Sequence, residues 1–332
     1  MANESVYLGI DIGGTKVAAG TVNEKGEILS ELRVPMNSTG TAEQGLAAVT
    51  DAIDKVKGTL QGKTIAAIGV TSPGPLDPRT GVVINPPNVP CWRNFSLKDE
   101  IERAYRVPVK VDNDANAAGL AEAIWGAGVG YNSVFYATIG TGIGTGIILN
   151  GEIYYGRTGA AGEGGHTTID YRGEKCACGK SGCIEAMASG TAIGRRARVK
   201  VAANFSRGRT LVDLADGDAN RITAEIVAKA WRAGDPMATE VLEETAEVLT
   251  VWLGNAIDWL EPDVIVVGGG VGELMSNFFA HISTTLPKWS INQRCTEIPI
   301  KLARYMEHSG VAGAAALCLG NKLRADSATK RN

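Results

Sequence analysis

Val6-Tyr7-Leu8-Gly9-Ile10, followed by Asp11-Ile12-Gly13-Gly14-Thr15-Lys16, is the stretch on which the fold turns. A short apolar run that meets a glycine pair reads as a buried strand entering a tight turn. Val17–Val22 reads as a second strand, Asn23–Gly26 as a turn and Ile28–Val34 as a third strand. The chain therefore opens with a three-strand meander whose first turn is rich in glycine. The pattern returns at Val134–Ile139, Gly140-Thr141-Gly142-Ile143-Gly144, Thr145–Leu149, Asn150-Gly151 and Glu152–Tyr155. At an offset of 127, Ile12-Gly13 falls on Ile139-Gly140; at 125, Gly26-Glu27-Ile28 falls on Gly151-Glu152-Ile153. Strand, glycine turn, strand, turn, strand thus occurs twice, which predicts an internal duplication.

Outward from these meanders, strands and helices alternate, the mark of α/β lobes. Leu46, Val49, Ile53, Val56 and Leu60 share one helical face. Ile65–Thr71 reads as a strand running into the rigid turn Ser72-Pro73-Gly74-Pro75. Ser96, with Asp99 three positions on, predicts a capped short helix. Val107–Val111 reads as a strand, and an Ala-rich helix runs from Asn113-Asp114-Ala115-Asn116 to about Trp125. In the second half, helices are predicted at 186–203, 222–232, 235–260 and 273–286, strands at 264–267 and 298–302, and a final small-residue helix at 309–324.

The chain has 332 residues, enough for two domains of ordinary size. Its net charge of −3 gives no electrostatic footprint for nucleic acid, and no Lys/Arg run suggests a membrane surface. No apolar stretch approaches the roughly 18–20 residues that span a bilayer, and the N-terminus lacks a basic, apolar leader. The expectation is a cytoplasmic protein without nucleic-acid or membrane partners. Cys176, Cys178 and Cys183 cluster while Cys91, Cys295 and Cys318 are scattered, which argues against a disulfide framework.

Three features carry chemistry. Glycine-rich turns let backbone N–H groups converge on an anion, and two such turns could grip a polyphosphate from both sides. Neither standard nucleotide motif fits. From Gly140 the sixth position of G-x-G-x-x-G is Thr145, and the P-loop ending Gly179-Lys180-Ser181 has Glu174 where glycine is needed. What remains is Asp-x-Gly-Gly-Thr-Lys on a strand–turn–strand. It puts Asp11 in place to hold Mg²⁺ directly or through water, beside the Thr15 hydroxyl and the Lys16 charge; a glycine hairpin with a surface acid is the plainer alternative. Second, His166, Cys176, Cys178 and Cys183 fall within 18 residues and suit a closed, tetrahedral, structural Zn²⁺ site. Glu163 and Glu185 flank this cluster, where pinned carboxylates could line a polyhydroxylated ligand or simply face solvent. Third, Asp112-Asn113-Asp114 lies where a strand passes into a helix, a common place for ligand sites. Asp114 could serve as a general base, or these residues could only cap the helix.

Together these residues resemble the ROK family (repressor, open reading frame, kinase), its sugar-kinase branch and within it the bacterial glucose-phosphorylating members most of all. The resemblance runs from Leu8 to about Leu319. It is most specific from Ile139 to His166, with glycines at 142, 144, 146, 156, 162 and 165, and in the segment Cys176–Glu185. Asn88-Val89-Pro90-Cys91-Trp92-Arg93-Asn94-Phe95 is similar to the family's loop between strand and helix.

The resemblance implies an actin-like, ribonuclease-H-like two-lobed ATPase fold with an interdomain active-site cleft. The N-terminal lobe would comprise residues 1–118 plus about 308–332, and the C-terminal lobe 119–307. It implies a hexokinase-type phosphotransferase that uses ATP and Mg²⁺, carries structural Zn²⁺ and forms a homodimer. Its substrate would be a hexose phosphorylated at the 6-hydroxyl, D-glucose foremost, with N-acetylglucosamine, N-acetylmannosamine, mannose or fructose as alternatives. By position, Asp114 would be the catalytic base and Asn113 would hold a neighbouring hydroxyl. Glu163, His166 and Glu185 would bind hydroxyls near the anomeric end, Gly74 would offer backbone, and Asn88 would contact the sugar. Asp11, Gly13, Gly14, Thr15 and Lys16 would form the first phosphate segment, Gly140, Thr141 and Gly142 the second, and Gly268, Gly269 and Gly270 the adenosine side. The family also holds sugar-sensing repressors; these need an N-terminal helix-turn-helix, for which the first strand near Val6 leaves no room.

Overall fold

The structure is a computed structural model, and it describes residues 5–319. In chain order its elements begin with β1 (Ser5–Ile12), β2 (Lys16–Val22), β3 (Ile28–Pro35), α1 (Ala42–Lys57), β4 (Thr64–Ser72), β5 (Leu76–Asp77), β6 (Val82–Val83), α2 (Leu97–Tyr105), β7 (Val109–Asn113) and α3 (Asp114–Trp125). There follow β8 (Ser133–Ile139), β9 (Ile143–Leu149), β10 (Glu152–Ile153), α4 (Ile184–Ala188), α5 (Gly190–Ala203), α6 (Arg209–Leu214), α7 (Ala224–Arg232) and α8 (Pro236–Leu260). The last are β11 (Val264–Gly268), α9 (Gly270–Met275), α10 (Phe279–Thr285), β12 (Ile300–Leu302) and α11 (Ser309–Leu317).

The two meanders head two sheets of the same plan. One has the order β3-β2-β1-β4-β7 and the other β10-β9-β8-β11-β12. In the first, β1, β2 and β3 pair antiparallel, while β4 and β7 join parallel to β1. In the second, β9 and β10 pair antiparallel and β11 and β12 pair parallel. The duplication read from the glycine turns is thus repeated in strand order. β11 is buried along its whole length, as its unbroken apolar sequence requires of a parallel strand covered on both faces.

The chain divides into two compact units. The first runs to Tyr136, takes Gly146–Gly162 and resumes at Arg304; the second comprises Ala137–Thr145 and Glu163–Ala303. The core of the first gathers Leu8, Ile10, Ile12, Val49, Ile53, Ile68, Val70, Trp92 and Ile101. Helix α1 starts at a reciprocal cap, in which Gln44 N–H donates to Thr41 Oγ1 (3.3 Å) and Thr41 N–H to Gln44 Oε1 (3.1 Å). In the second unit the 25-residue α8 is capped by Asp235 and packs against α4, α5, α7 and α10. No described helix is long and apolar enough to cross a membrane.

Several elements depart from the sequence expectations for local reasons. α1 ends before Gly58, so Leu60 lies outside the helix whose face it was expected to share. Ser96 begins α2 without a side-chain capping bond. The helix expected over 186–203 is two helices, because Ser189 adopts an extended backbone and turns its hydroxyl to cap α5 at Ala192 N–H. The one expected over 273–286 breaks into α9 and α10 around Ser276–Phe278, where Ser276 and Asn277 side chains donate to the carbonyls of Glu273 and Leu274. The helix expected to reach 324 is described to Leu317, and the part beyond Leu319 lies outside the described residues.

Helix α11 packs on β1, β4 and α3. Its small residues match glycines on the strands: a Cβ at Gly69 would overlap the Ala314 carbonyl oxygen, and one at Gly9 would overlap that of Val311. No rotamer relieves such an overlap, because both partners are backbone. Gly69→Ala is therefore expected to destabilise the protein by about 2–3 kcal/mol, the upper range for overpacking, read as a fall in the urea midpoint. An unchanged midpoint would show that α11 is free to withdraw from the sheet.

Candidate active site

In the first unit the parallel register does the positioning. Asp11 of β1 pairs with Thr71 of β4, and Thr71 pairs with Asp112 of β7. Asp11 and Asp112 therefore lie in one row, two strand spacings or about 10 Å apart, at the carboxyl ends of the strands where open α/β sheets bind ligands. One step further, Ser72 pairs with Asn113.

Asp11 is half-buried and accepts a 2.7 Å hydrogen bond from Thr71 Oγ1. Burial pushes its carboxyl above the usual aspartate value, against the pull of the Thr71 bond and the Lys16 charge. Gly13 N–H donates to the Lys16 carbonyl (2.9 Å), which closes the turn, and Thr15 and Lys16 are exposed beyond it. Asp11, Gly13, Lys16, Glu31, Arg33 and Gly310 line a small cavity of about 90 Å³. Across the turn, a Cβ on Gly14 would sit 2.8 Å from the Asn88 carbonyl oxygen, so the loop bearing Asn88 lies against the turn through its backbone. Gly74 is half-buried in the turn after β4.

Asn113 caps α3: its Oδ1 accepts from Ala115 N–H (2.9 Å) and Asn116 N–H (3.3 Å). The capping role weighed for this turn thus falls to Asn113, which leaves its Nδ2 as the group able to meet a ligand. Asp114 is the first residue of the helix, and its Oδ1 accepts from Ala115 N–H (2.8 Å). Its side chain is accessible to solvent, yet protein crowds it on most sides. That crowding raises its carboxyl to about 6, and the nearby negative charge of Asp11 pushes the same way. An accessible acid poised near neutrality, within electrostatic reach of a glycine turn, is the arrangement a general base requires.

In the second unit, His166, Cys176, Cys178 and Cys183 bring four ligand atoms within 4.8 Å of one another. Cys178 Sγ lies 3.6 Å from Cys183 Sγ, and Cys176 Sγ 3.6 Å from His166 Nδ1. Tetrahedral Zn–S bonds of about 2.3 Å place sulfurs about 3.8 Å apart, so the donor set and its spacing fit a metal ion of this kind. Nδ1 is the ring nitrogen that faces the sulfurs. Glu185 stands at the start of α4, where Oε2 accepts from Ile143 N–H (2.9 Å) and lies where a Cβ on Gly142 would come within 2.5 Å. Its Oε1 is 3.9 Å from His166 Nδ1. Glu163 is exposed, and its carbonyl accepts from His166 N–H (3.0 Å). Spacing put Glu185 beside the cluster, and the structure adds the second glycine turn as a neighbour of Glu185.

The turn Gly140–Gly142 is held by α5: Gly190 N–H donates to the Gly140 carbonyl (2.8 Å) and Thr191 Oγ1 to that of Thr141 (2.9 Å). Gly140, Thr141 and Gly270 border a cavity of about 810 Å³, the size of sites for small organic ligands. Gly142 faces Glu185 instead, Gly268 is buried in β11, and Gly269 is locked at φ +80° against the backbone of Ile139. The remaining walls come from residues the motifs did not include: Gly190, Thr191 and Arg198 of α5, Thr223, Glu225, Lys229 and Arg232 on or beside α7, and Leu274 of α9. Thr191 and Arg198 lie on one face of α5, and Glu225, Lys229 and Arg232, spaced i, i+4, i+7, on one face of α7. That spacing could have grouped the residues of each helix, but nothing in the sequence brings the two faces together.

Residues 7–321 match the ROK family model, and the chain belongs to the ROK family. It is 34% identical over 312 residues to a glucokinase of Streptomyces coelicolor, covering 93% of this chain and 96% of that one. It is 30% identical over 316 residues to an N-acetylmannosamine kinase of Escherichia fergusonii, covering 95% and 99%. Among solved structures it resembles a ROK family glucokinase of Streptomyces griseus in complex with glucose and AMPPNP. The TM-score there is 0.80 and the identity 35%, with 94% of this chain and 98% of that one covered. The fold is the actin-like ATPase fold of these sugar kinases.

Because Asp114 titrates near 6 in the folded chain and near 3.8 when unfolded, the folded state binds the extra proton between those values. Its stability contribution is full below about 3.8 and is lost as pH rises through about 6. Asp114→Asn is therefore expected to raise the thermal midpoint at pH 8 and leave it unchanged at pH 4. Equal shifts at both pH values would show that the carboxylate is not perturbed.

Proposed function

We propose that this chain is an ATP-dependent hexose kinase that phosphorylates the 6-hydroxyl, with D-glucose the preferred sugar and Asp114 the general base. The poised carboxyl of Asp114, beside the Asp11 turn, carries this reading. In the reaction the sugar O6 attacks the γ-phosphorus, the bond to the β,γ-bridging oxygen breaks and ADP leaves. The O6 proton passes to the Asp114 carboxylate, a step that contributes roughly 10²–10⁴-fold.

Phosphoryl transfer depends mainly on positioning and charge. In this reading Asn113 Nδ2 donates to a hydroxyl near O6, while Glu163, Glu185 and His166 Nε2 engage hydroxyls toward the anomeric end; Gly74 and Asn88 border the sugar. The turns 13–16 and 140–142 present backbone N–H groups to the phosphates, with Lys16 adding charge. The 810 Å³ cavity takes the nucleoside, between the α5 N-terminus and Gly270. Mg²⁺ would be held by Asp11, directly or through water, and supplies neutralisation of the phosphate charge. His166, Cys176, Cys178 and Cys183 would hold Zn²⁺ with four protein ligands, and the ion would then fix the orientation of His166 and, through the same loop, of Glu185.

A sugar panel read as kcat/KM tests the substrate. Glucose is expected to lead, and a preference for N-acetylmannosamine would transfer the assignment to the activity of the other relatives. Asp114→Ala is expected to lower kcat at least a hundredfold while sugar binding, followed by tryptophan fluorescence, survives; a loss under tenfold removes Asp114 from the base role. Cys178→Ala is expected to cut bound zinc, measured by elemental analysis, from one per chain to near zero and to weaken sugar binding. A zinc-free variant with unchanged KM for sugar would contradict the scaffolding role.

A further inference from the structure

Behind the Asn113–Asp114 turn lies a buried polar group that the proposed chemistry does not use. Asp112 is 2% exposed, so its carboxylate must find donors within the protein. It finds three. Asn113 N–H donates to Oδ1 at 2.7 Å, Asn116 Nδ2 to the same oxygen at 3.3 Å, and the Tyr155 hydroxyl to Oδ2 at 2.5 Å. Two of these donors belong to the turn itself, and only Tyr155 is distant in sequence.

The local chain is arranged to hold Tyr155 there. It follows β10, and its carbonyl accepts from Ala161 N–H (3.2 Å), which closes the glycine-rich segment 156–161 into a loop. Arg79 pins the same loop by donating to the Arg157 carbonyl (2.8 Å). Asn116, in turn, is buried and its Oδ1 meets no donor among the described residues, so its amide is oriented by the Asp112 carboxylate alone. Asp112 therefore sets both the Asn113 backbone and the Asn116 side chain, and Tyr155 sets Asp112.

We propose that Tyr155 is a positioning residue for phosphoryl transfer: through its hydroxyl it fixes the Asp112 carboxylate, and through Asp112 the Asn113–Asp114 turn. Without that bond the carboxylate has one oxygen unsatisfied in a buried place and rotates toward whatever donor remains. The turn follows, and a displacement of about 1 Å at a reacting group costs up to roughly a hundredfold in rate. The proposal rests on Asp114 as the base.

Tyr155→Phe removes one oxygen and keeps the ring. At a temperature where circular dichroism shows all variants folded, it is expected to lower kcat at least fivefold with KM for ATP within twofold of wild type. Asp112→Asn is expected to do the same, and the double variant to be no worse than the poorer single, since both cut one connection. A loss under fivefold in folded Tyr155→Phe, an effect confined to KM for sugar, or losses that multiply in the double variant would each overturn the proposal. Should Tyr155→Phe fail to fold, Asp112→Asn carries the same criterion. Asp114→Ala in parallel separates the two readings: if it retains turnover, the base assignment falls, whereas an inactive Asp114→Ala beside a fully active Tyr155→Phe sinks Tyr155 alone.

Discussion

Everything at the candidate site of the first unit depends on the in-register parallel pairing of β1, β4 and β7. Hydrogen bonds between strands leave no freedom to slide, so Asp11, Thr71 and Asp112 stand in one row and Asp114 begins a helix just past its end. The Thr71 hydroxyl orients one acid of the row and Tyr155 another. The cost is electrostatic. Burial raises the affinity of the Asp114 carboxyl for a proton, and the nearby charge of Asp11 adds to it. The close seat of α11, possible only because Gly9 and Gly69 lack side chains, keeps that sheet from relaxing the strain by shifting.

The second unit builds its candidate site in a different way. There a glycine turn is held by hydrogen bonds from α5 while Glu185 receives the Ile143 N–H beside it. The Cys/His cluster gathers four donors within a short span of chain, so a bound ion would stiffen further a loop already tied by backbone bonds such as Ile169 N–H to the Gly182 carbonyl and Cys176 N–H to that of Lys180. Rigidity of this kind matters for sugar recognition, since an epimer differs only in where one hydroxyl points.

What could be read in the sequence was what is local. The glycine turns, the repeated meander and the His/Cys spacing need only neighbours along the chain, and they forecast two similar sheets and one tight donor cluster. The helix ends were less legible where side chains compete with the backbone: Ser189 divides one expected helix and Ser276-Asn277 another. Least legible were the long-range partners. Tyr155 meets Asp112 across 43 positions, and Arg198 of α5 meets Lys229 and Arg232 of α7 around one cavity; helical spacing groups residues within one helix, but no periodicity brings the two helices, or Tyr155 and Asp112, together. Asn113 illustrates a mixed case, in which the capping and ligand-facing readings belong to different atoms of one side chain.

The central claim is that a single carboxylate, raised to about 6 by its surroundings, accepts the proton of the attacking alcohol. The pH dependence of kcat/KM for glucose tests it most directly. A limb falling tenfold per pH unit below about 6, absent from the residual rate of Asp114→Asn, is the predicted result; a flat profile down to pH 5, or the same limb in the variant, would contradict it.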